Sequence, residues 1–225
     1  MMDLLKNMYF CIQMKEDSLA NKVYTEIRKK ILANQLVGGA RLKESAWAEK
    51  LKVSRVAVRE ALIRLSGENL VEFGEKGGCF VRDMTAEDVR DIRELREILE
   101  VGALKLLFKK VNKAAIEELE AVCDDFSSMT ERGYYSGACE ADVRFHELLM
   151  EKSGNKRLLA LYKNSNIPLF HLKLGNSLSH MDDYKQTDVE HRRIVAGLKS
   201  GNFDDALNTL INHLDRGQKE ALELV

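Results

Sequence analysis

The chain has 225 residues, of which 45% are hydrophobic and 32% charged, and its formal net charge is −1. This length allows one large domain or two small ones, and the balance of apolar and charged residues excludes wholesale disorder. With 14 glycines and one proline, the chain has too few turn residues for an all-β sandwich or barrel. No run of 18 apolar residues occurs, so we expect no membrane span.

The N-terminus and the cysteines indicate a cytoplasmic protein. Residues 1–17 lack the basic start, long apolar stretch and cleavage site of a signal peptide, so we interpret them as a non-secretory leader. The cysteines form no CxxC pair, which argues against a disulfide framework or a thiolate zinc site and fits a reducing compartment. They are Cys11, Cys79, Cys123 and Cys139.

Positive charge is concentrated in the first third of the chain. Residues 1–82 contain 15 Lys and Arg against 10 Asp and Glu, whereas residues 83–225 contain 20 against 26. This asymmetry indicates one module that contacts a polyanion and a second module with another role.

Residues 18–82 have the pattern of a winged helix-turn-helix. Apolar periodicity predicts three helices, and Ser18 and Ser54 are suitable N-caps for the first and third. Two short alternating strands around a glycine-rich turn predict a hairpin. The predicted helices are 18–33, 44–51 and 54–68, and the predicted strands are 70–73 and 79–81.

Residues 83–225 are helical throughout, which makes the fold mainly α. Long helices with short connections predict an antiparallel bundle of about six. Pro168 lies inside the fourth and should kink or split it. The predicted helices are 86–109, 112–131, 136–153, 155–178, 182–199 and 202–223.

The third helix of the first module has the features of a helix that reads DNA. Arg55 and Arg59 are four residues apart and share one face, where they can donate to guanine in the major groove. Ser54 at the N-cap and Arg64 farther along are candidates for phosphate contacts, and Lys76 in the hairpin turn could reach the minor groove. The alternative is that Arg55 and Arg59 are solvated and pair with Glu60 or other acids.

The bundle contains four side chains suited to a metal ion. Asp142 and His146 are four apart on one helix face, and His191 and His213 lie on the next-to-last and last helices. One carboxylate oxygen and three imidazole nitrogens are a donor set for Zn²⁺, Ni²⁺ or Mn²⁺. The alternative is that these are ordinary hydrogen-bonded histidines and a surface Asp–His pair.

Residues 18–82 resemble the GntR superfamily of bacterial winged-helix repressors, and the helical remainder resembles its FadR-like branch with an FCD effector domain. The first resemblance rests on segments 23–31, 41–44, 51–62 and 78–81, and the second on segments 142–146, 154–155 and 190–195. Together the two resemblances imply a DNA-binding domain at 18–82 and an effector and dimerisation domain at 83–225.

The chain departs from the family pattern at several positions. Lys52 stands where glycine is usual, and if the backbone there has a positive φ this lysine costs about 1 kcal/mol. Val56 and Ala57 replace a Thr-Pro pair, which removes a hydroxyl contact to phosphate. An arginine common in the family is absent at Ser45 and at Gly77.

The resemblance also implies a ligand and an assembly. Family members use the metal to hold a small carboxylate, so Asp142, His146, His191 and His213 would be metal ligands and the effector an organic or sugar acid. Arg96 is the candidate cation for its second carboxylate oxygen, unless it only pairs with Glu100, and Asn166 is a further candidate. A homodimer would bind palindromic operator DNA, and the effector would weaken that binding.

Two other functions fit parts of the sequence. A metal-dependent enzyme could use the Asp and three His to activate water, but no general base or nucleophile motif accompanies them. A helical partner-binding protein would leave Arg55, Arg59 and the hairpin without a role.

Overall fold

The structure is a computed structural model that describes residues 18–32, 35–165 and 181–222. These residues divide into two compact units, with the boundary between Asp83 and Met84. The predicted leader, residues 1–17, lies outside the described part. None of the helices in the described ranges is long and apolar enough to cross a membrane.

The described part of the first unit is a three-helix winged helix-turn-helix. Its hairpin is antiparallel, with Val71 opposite Val81 and Phe73 opposite Cys79. The side chains of Ser18 and Ser54 accept hydrogen bonds from the backbone amides of Asn21 and Ala57, so both serines cap their helices as predicted. The elements are α1 (Leu19–Leu32), α2 (Glu44–Leu51), α3 (Arg55–Gly67), β1 (Val71–Phe73) and β2 (Cys79–Val81).

The apolar faces of these elements form one core. Val23 and Ile27 of α1 pack with Val58, Leu62 and Leu65 of α3, and all five are fully buried. Because this face of α3 is used for packing, the opposite face, which carries Arg55 and Arg59, is left to solvent. The predicted bounds are confirmed to within one residue at the helix and strand ends.

Lys52, the C-cap residue that follows α2, has a left-handed backbone with φ 54° and ψ 49°. Because a Cβ is strained in this region and glycine is not, we expect Lys52→Gly to stabilise the first unit by about 0.5–1 kcal/mol. Urea unfolding measures the free energy of unfolding of this unit when it is followed by the fluorescence of Trp47, the single tryptophan of the chain. Trp47 is buried beside the turn.

The control is Lys29→Gly, at an exposed position inside α1. There glycine should lower the free energy of unfolding by about 1 kcal/mol, because it gives the unfolded backbone more conformational freedom. If both variants shift the unfolding midpoint in the same direction, left-handed strain at Lys52 is refuted.

The second unit is a bundle of six helices in its described part. Thr85 and Asp88 form a capping box at the first, and Asn112 and Asn155 cap two others through their side chains. Its main core joins five of the helices, with Leu104, Leu119, Phe145, Ile194 and Leu210 fully buried. The helices are α4 (Ala86–Phe108), α5 (Lys113–Glu131), α6 (Tyr135–Lys152), α7 (Lys156–Asn164), α8 (Met181–Ser200) and α9 (Phe203–Leu222).

The fourth bundle helix is shorter than predicted. The sequence predicts one helix over 155–178, but α7 ends at Asn164, and the Ser165 hydroxyl donates to the Tyr162 carbonyl at 2.6 Å. A serine that bonds back to the preceding turn favours a helix end over its continuation. Pro168, the predicted break, lies outside the described residues.

Candidate functional site

Four buried side chains from three helices of the second unit converge on one point. Asp142 and His146 lie one turn apart on α6, His191 lies on α8 and His213 on α9. One ligand atom from each lies within 4.8 Å of the others, and all four residues are buried. The structure therefore brings together all four predicted metal-ligating side chains.

Close packing of α8 against α9 places two of these histidines. An added Cβ at Gly197 of α8 would lie 2.9 Å from the Ala206 Cβ and from the Asn202 carbonyl oxygen. Glycine is therefore required for the approach of the two helices. This contact and the short turn at Gly201 bring His191 of α8 and His213 of α9 to the same level of the helix pair.

The geometry of the cluster fits a divalent metal ion. The Nε2 atoms of His146 and His213 are 3.1 Å apart, and the Asp142 Oδ1 atom is 3.4 Å from His191 Nε2 and 3.8 Å from His146 Nε2. The Phe145 ring stacks on His191 at a centroid distance of 3.9 Å and fixes its plane. Three imidazole nitrogens and a carboxylate oxygen around one point can hold such an ion.

Two buried glutamates orient two of the histidines. Glu100 on α4 lies 2.5 Å from His146 Nδ1, and Glu190 on α8 lies 2.8 Å from His213 Nδ1. A carboxylate that accepts the Nδ1 proton leaves the Nε2 lone pair directed at the cluster. Neither glutamate is among the predicted site residues, although Glu190 directly precedes His191.

Each of these glutamates is also paired with an arginine. Arg96 Nε donates to Glu100 at 2.7 Å, and Arg216 donates to Glu190 at 2.7 Å. Burial raises the pKa of Glu100, but the charge of Arg96 and the hydrogen bonds from Arg96 and His146 outweigh it and lower that pKa to about 2. Burial likewise raises the pKa of Glu190, and hydrogen bonds from His213 and Arg216 bring it down to about 2. Both carboxylates are therefore ionised acceptors.

Of the two predicted effector residues, only Arg96 falls in the described part of the chain. Its Nε is bound to Glu100, which also accepts a hydrogen bond from the Tyr162 hydroxyl at 3.2 Å. The pairing of Arg96 with Glu100, which the sequence leaves open as an alternative, is therefore present. Asn166 lies outside the described residues.

The predicted DNA-reading arginines lie on the exposed face of α3. The side chains of Arg55 and Arg59 are 71% and 69% exposed, and both pair with Glu44 of α2. The acid that they contact is thus Glu44 and not Glu60. Ser54 is used as the N-cap of α3, so its oxygen accepts from Ala57 while its hydroxyl proton can still be donated.

The other two predicted DNA contacts lie apart from Arg55 and Arg59. The Arg64 guanidinium lies 4.0 Å above the Tyr24 ring and donates to Asn21 at 3.2 Å, so it is held against α1. Lys76 is exposed in the hairpin turn, ahead of Gly77 and Gly78, whose positive φ angles shape that turn.

A cleft of about 480 Å³ separates the start of α3 from the hairpin. We call it the basic cleft, because four of its lining side chains are basic and one is acidic. Two of the basic residues, Arg41 and Lys43, are not among the predicted DNA contacts, which lie at the N-cap of α3, on α3 and in the hairpin turn. Arg41 is held over the Phe80 ring of β2, at 5.8 Å. The charged lining residues are Arg41, Lys43, Glu44, Arg55 and Arg59.

Both units match known protein families. Residues 19–81 match the model of bacterial regulatory proteins, gntR family, and residues 91–216 match the FCD domain. The Uxu operon transcriptional regulator of Escherichia coli (strain K12) is 30% identical over 237 residues, covering 93% of this chain and 91% of that protein. The gluconate operon transcriptional repressor of Bacillus licheniformis is 23% identical over 211 residues, covering 90% and 85%.

The fold is also shared with a solved structure. E. coli McbR/YncC superposes with a TM-score of 0.79 at 19% identity, covering 92% of this chain and 98% of that one. The relatives found by sequence are transcriptional regulators, so the alternative of a metal-dependent enzyme has no support. The chain belongs to the gntR family of bacterial regulatory proteins, carries an FCD domain, and is a transcriptional regulator.

Proposed function

We propose that this protein is a cytoplasmic repressor whose operator affinity is lowered by a small carboxylate bound at a metal site. Residues 18–82 form the DNA-binding domain, and residues 83–225 form the effector and dimerisation domain. The proposed effector site rests on one observation. The side chains of Asp142, His146, His191 and His213 converge at one buried point.

In the DNA-binding domain, Arg55 and Arg59 read base edges in the major groove. Their exposure at the start of α3 supports this role, since the first turns of a recognition helix contact the bases. Ser54 donates its hydroxyl to a phosphate, and Lys76 reaches the adjacent minor groove from the hairpin turn. Arg64 contacts the phosphate backbone, and its stacking on Tyr24 restricts where it can do so.

In the effector domain, the four converging side chains hold Zn²⁺, Ni²⁺ or Mn²⁺. Such an ion would supply a Lewis-acidic centre that attracts the carboxylate of the effector. Arg96 offers its terminal guanidinium nitrogens to a second carboxylate oxygen while its Nε stays on Glu100. Asn166 remains a candidate contact for the acid.

The effector we propose is an organic or sugar acid. A relative of this chain is named as the repressor of a gluconate operon, and gluconate is itself a small sugar acid with one carboxylate. The chain acts as a homodimer, because two-fold symmetry matches a palindromic operator with half-sites about one helical turn apart. The acid weakens DNA binding only by preferring one arrangement of the two DNA-binding domains over the other.

A titration of the protein on its operator tests this function. The operator is selected from random duplexes by the protein itself, and binding is followed by fluorescence anisotropy while a panel of hydroxy acids and sugar acids is added. We expect at least one acid to weaken binding of the metal-loaded protein, by about 5- to 150-fold, and to have no effect on His213→Ala. If no acid changes the affinity, or if the variant responds equally, the metal-bound effector is ruled out.

A further inference from the structure

The Glu44 carboxylate links the two arginines at the start of α3. Its Oε2 atom lies 3.5 Å from Arg55 Nη2, and its Oε1 atom lies 3.3 Å from Arg59 Nε. Each carboxylate oxygen therefore contacts one guanidinium. The two arginines are four residues apart on one helix face, and a single acid from another helix spans them.

Glu44 is held more firmly than the arginines it contacts. Its side chain is 23% exposed, against 71% and 69% for Arg55 and Arg59. It is the first residue of α2, where the helix dipole favours a negative charge. The residue two before it, Leu42, is fixed to the hairpin by a hydrogen bond from its amide to the Cys79 carbonyl at 2.8 Å.

A carboxylate at this place should oppose DNA binding. Glu44 is the acid among the charged residues that line the basic cleft, and a negative charge near phosphates lowers affinity for any DNA sequence. Exposed ion pairs also contribute little to folding stability. Affinity for DNA therefore does not account for this acid, and the helix dipole accounts for an acid at the start of α2 but not for its contact with both arginines.

We propose that Glu44 is a positioning residue that fixes the guanidiniums of Arg55 and Arg59 for base recognition. This inference rests on the proposed role of the two arginines. An arginine has many rotamers, and an unrestrained guanidinium at the DNA surface can bind the nearest phosphate at any sequence. A carboxylate on one edge of each guanidinium restricts these rotamers and leaves other N–H groups for guanine. Glu44 thus lowers affinity for random DNA through its charge, and it raises affinity for the operator by fixing the two guanidiniums.

The test compares affinities for the selected operator and for a random duplex. Glu44→Gln keeps the size of the side chain and removes its charge. We expect operator affinity to fall about fivefold and random-duplex affinity to rise about twofold. The specificity ratio, which is operator affinity divided by random-duplex affinity, therefore falls about tenfold. The matched control is Glu60→Gln on the exposed side of α3, which removes the same charge away from Glu44 and should raise both affinities equally.

A second variant separates position from charge. Glu44→Asp keeps the charge and withdraws the carboxylate by one methylene, so we expect a lower specificity ratio with unchanged random-duplex affinity. The inference is overturned if Glu44→Gln raises both affinities by the same factor, as Glu60→Gln does, or if Glu44→Asp keeps the ratio of the unmodified protein.

The same assay separates this inference from the proposed function. Arg55→Ala and Arg59→Ala must lower the specificity ratio if those arginines read bases at all. If the two arginine variants lower the specificity ratio and the Glu44 variants do not, only the positioning role of Glu44 is wrong. If they leave it unchanged, the reading role of α3 is wrong as well.

Discussion

Arg55→Ala and Arg59→Ala should each weaken operator binding by about 5- to 150-fold, because each removes a bidentate donor to a guanine. Affinity for random duplex should fall much less. Both side chains are about 70% exposed, so the free energy of unfolding should change by less than about 0.5 kcal/mol. Anisotropy titrations with operator and random duplex at one fixed salt concentration measure both affinities.

The matched control for these variants is Arg132→Ala. Arg132 is an exposed arginine at the end of α5 in the second unit, so the change removes the same positive charge from a surface not proposed to contact DNA. A loss of operator affinity in the Arg132 variant equal to that in the Arg55 variant would show that net charge, and not base reading, governs the effect.

Glu100→Gln should weaken metal binding by about 10- to 100-fold, although Glu100 is not proposed to touch the ion. The amide accepts a hydrogen bond from His146 Nδ1 less strongly than the carboxylate does, so the imidazole is held less firmly. The dissociation constant is measured by competition with a chromophoric chelator. The matched control is Glu94→Gln, an exposed glutamate on the same helix, which should leave metal affinity unchanged.

Loss of folding must be separated from loss of metal affinity in this test. Glu100 is fully buried and neutralises Arg96, so its removal can destabilise the bundle by about 3–5 kcal/mol. Circular dichroism of the metal-free variant checks the fold. Glu190→Gln is the second test, because Glu190 holds His213 in the same way and its carboxylate is less buried. Metal affinities within twofold of the unmodified protein for both folded variants would refute the orienting role.

The sequence predicts the elements well because each has a local signal. Ser54 caps α3, Gly201 separates α8 from α9, and the apolar periods give the helix bounds to within one or two residues. The exception is α7, whose apolar pattern continues beyond Asn164. Periodicity reports which face could be buried, but it does not report where the backbone turns.

The candidate site was only partly predictable. Asp142 and His146 share a helix face by their spacing, and histidines are few enough for His191 and His213 to stand out. Glu44, Glu100 and Glu190 do not stand out, because glutamate is common and is usually solvated. Their roles depend on contacts between different helices or across a turn, and such contacts are set by packing and not by local sequence.

The metal content of the purified native protein is the sharpest test of the proposed metal site. The protein is prepared without added metal or chelating tags and analysed by inductively coupled plasma mass spectrometry beside His191→Ala. We predict about one divalent transition-metal ion per chain in the unmodified protein and a large loss in the folded variant. The proposed metal site is wrong if the folded native protein neither contains such an ion nor takes one up on addition, or if the two proteins have equal metal content.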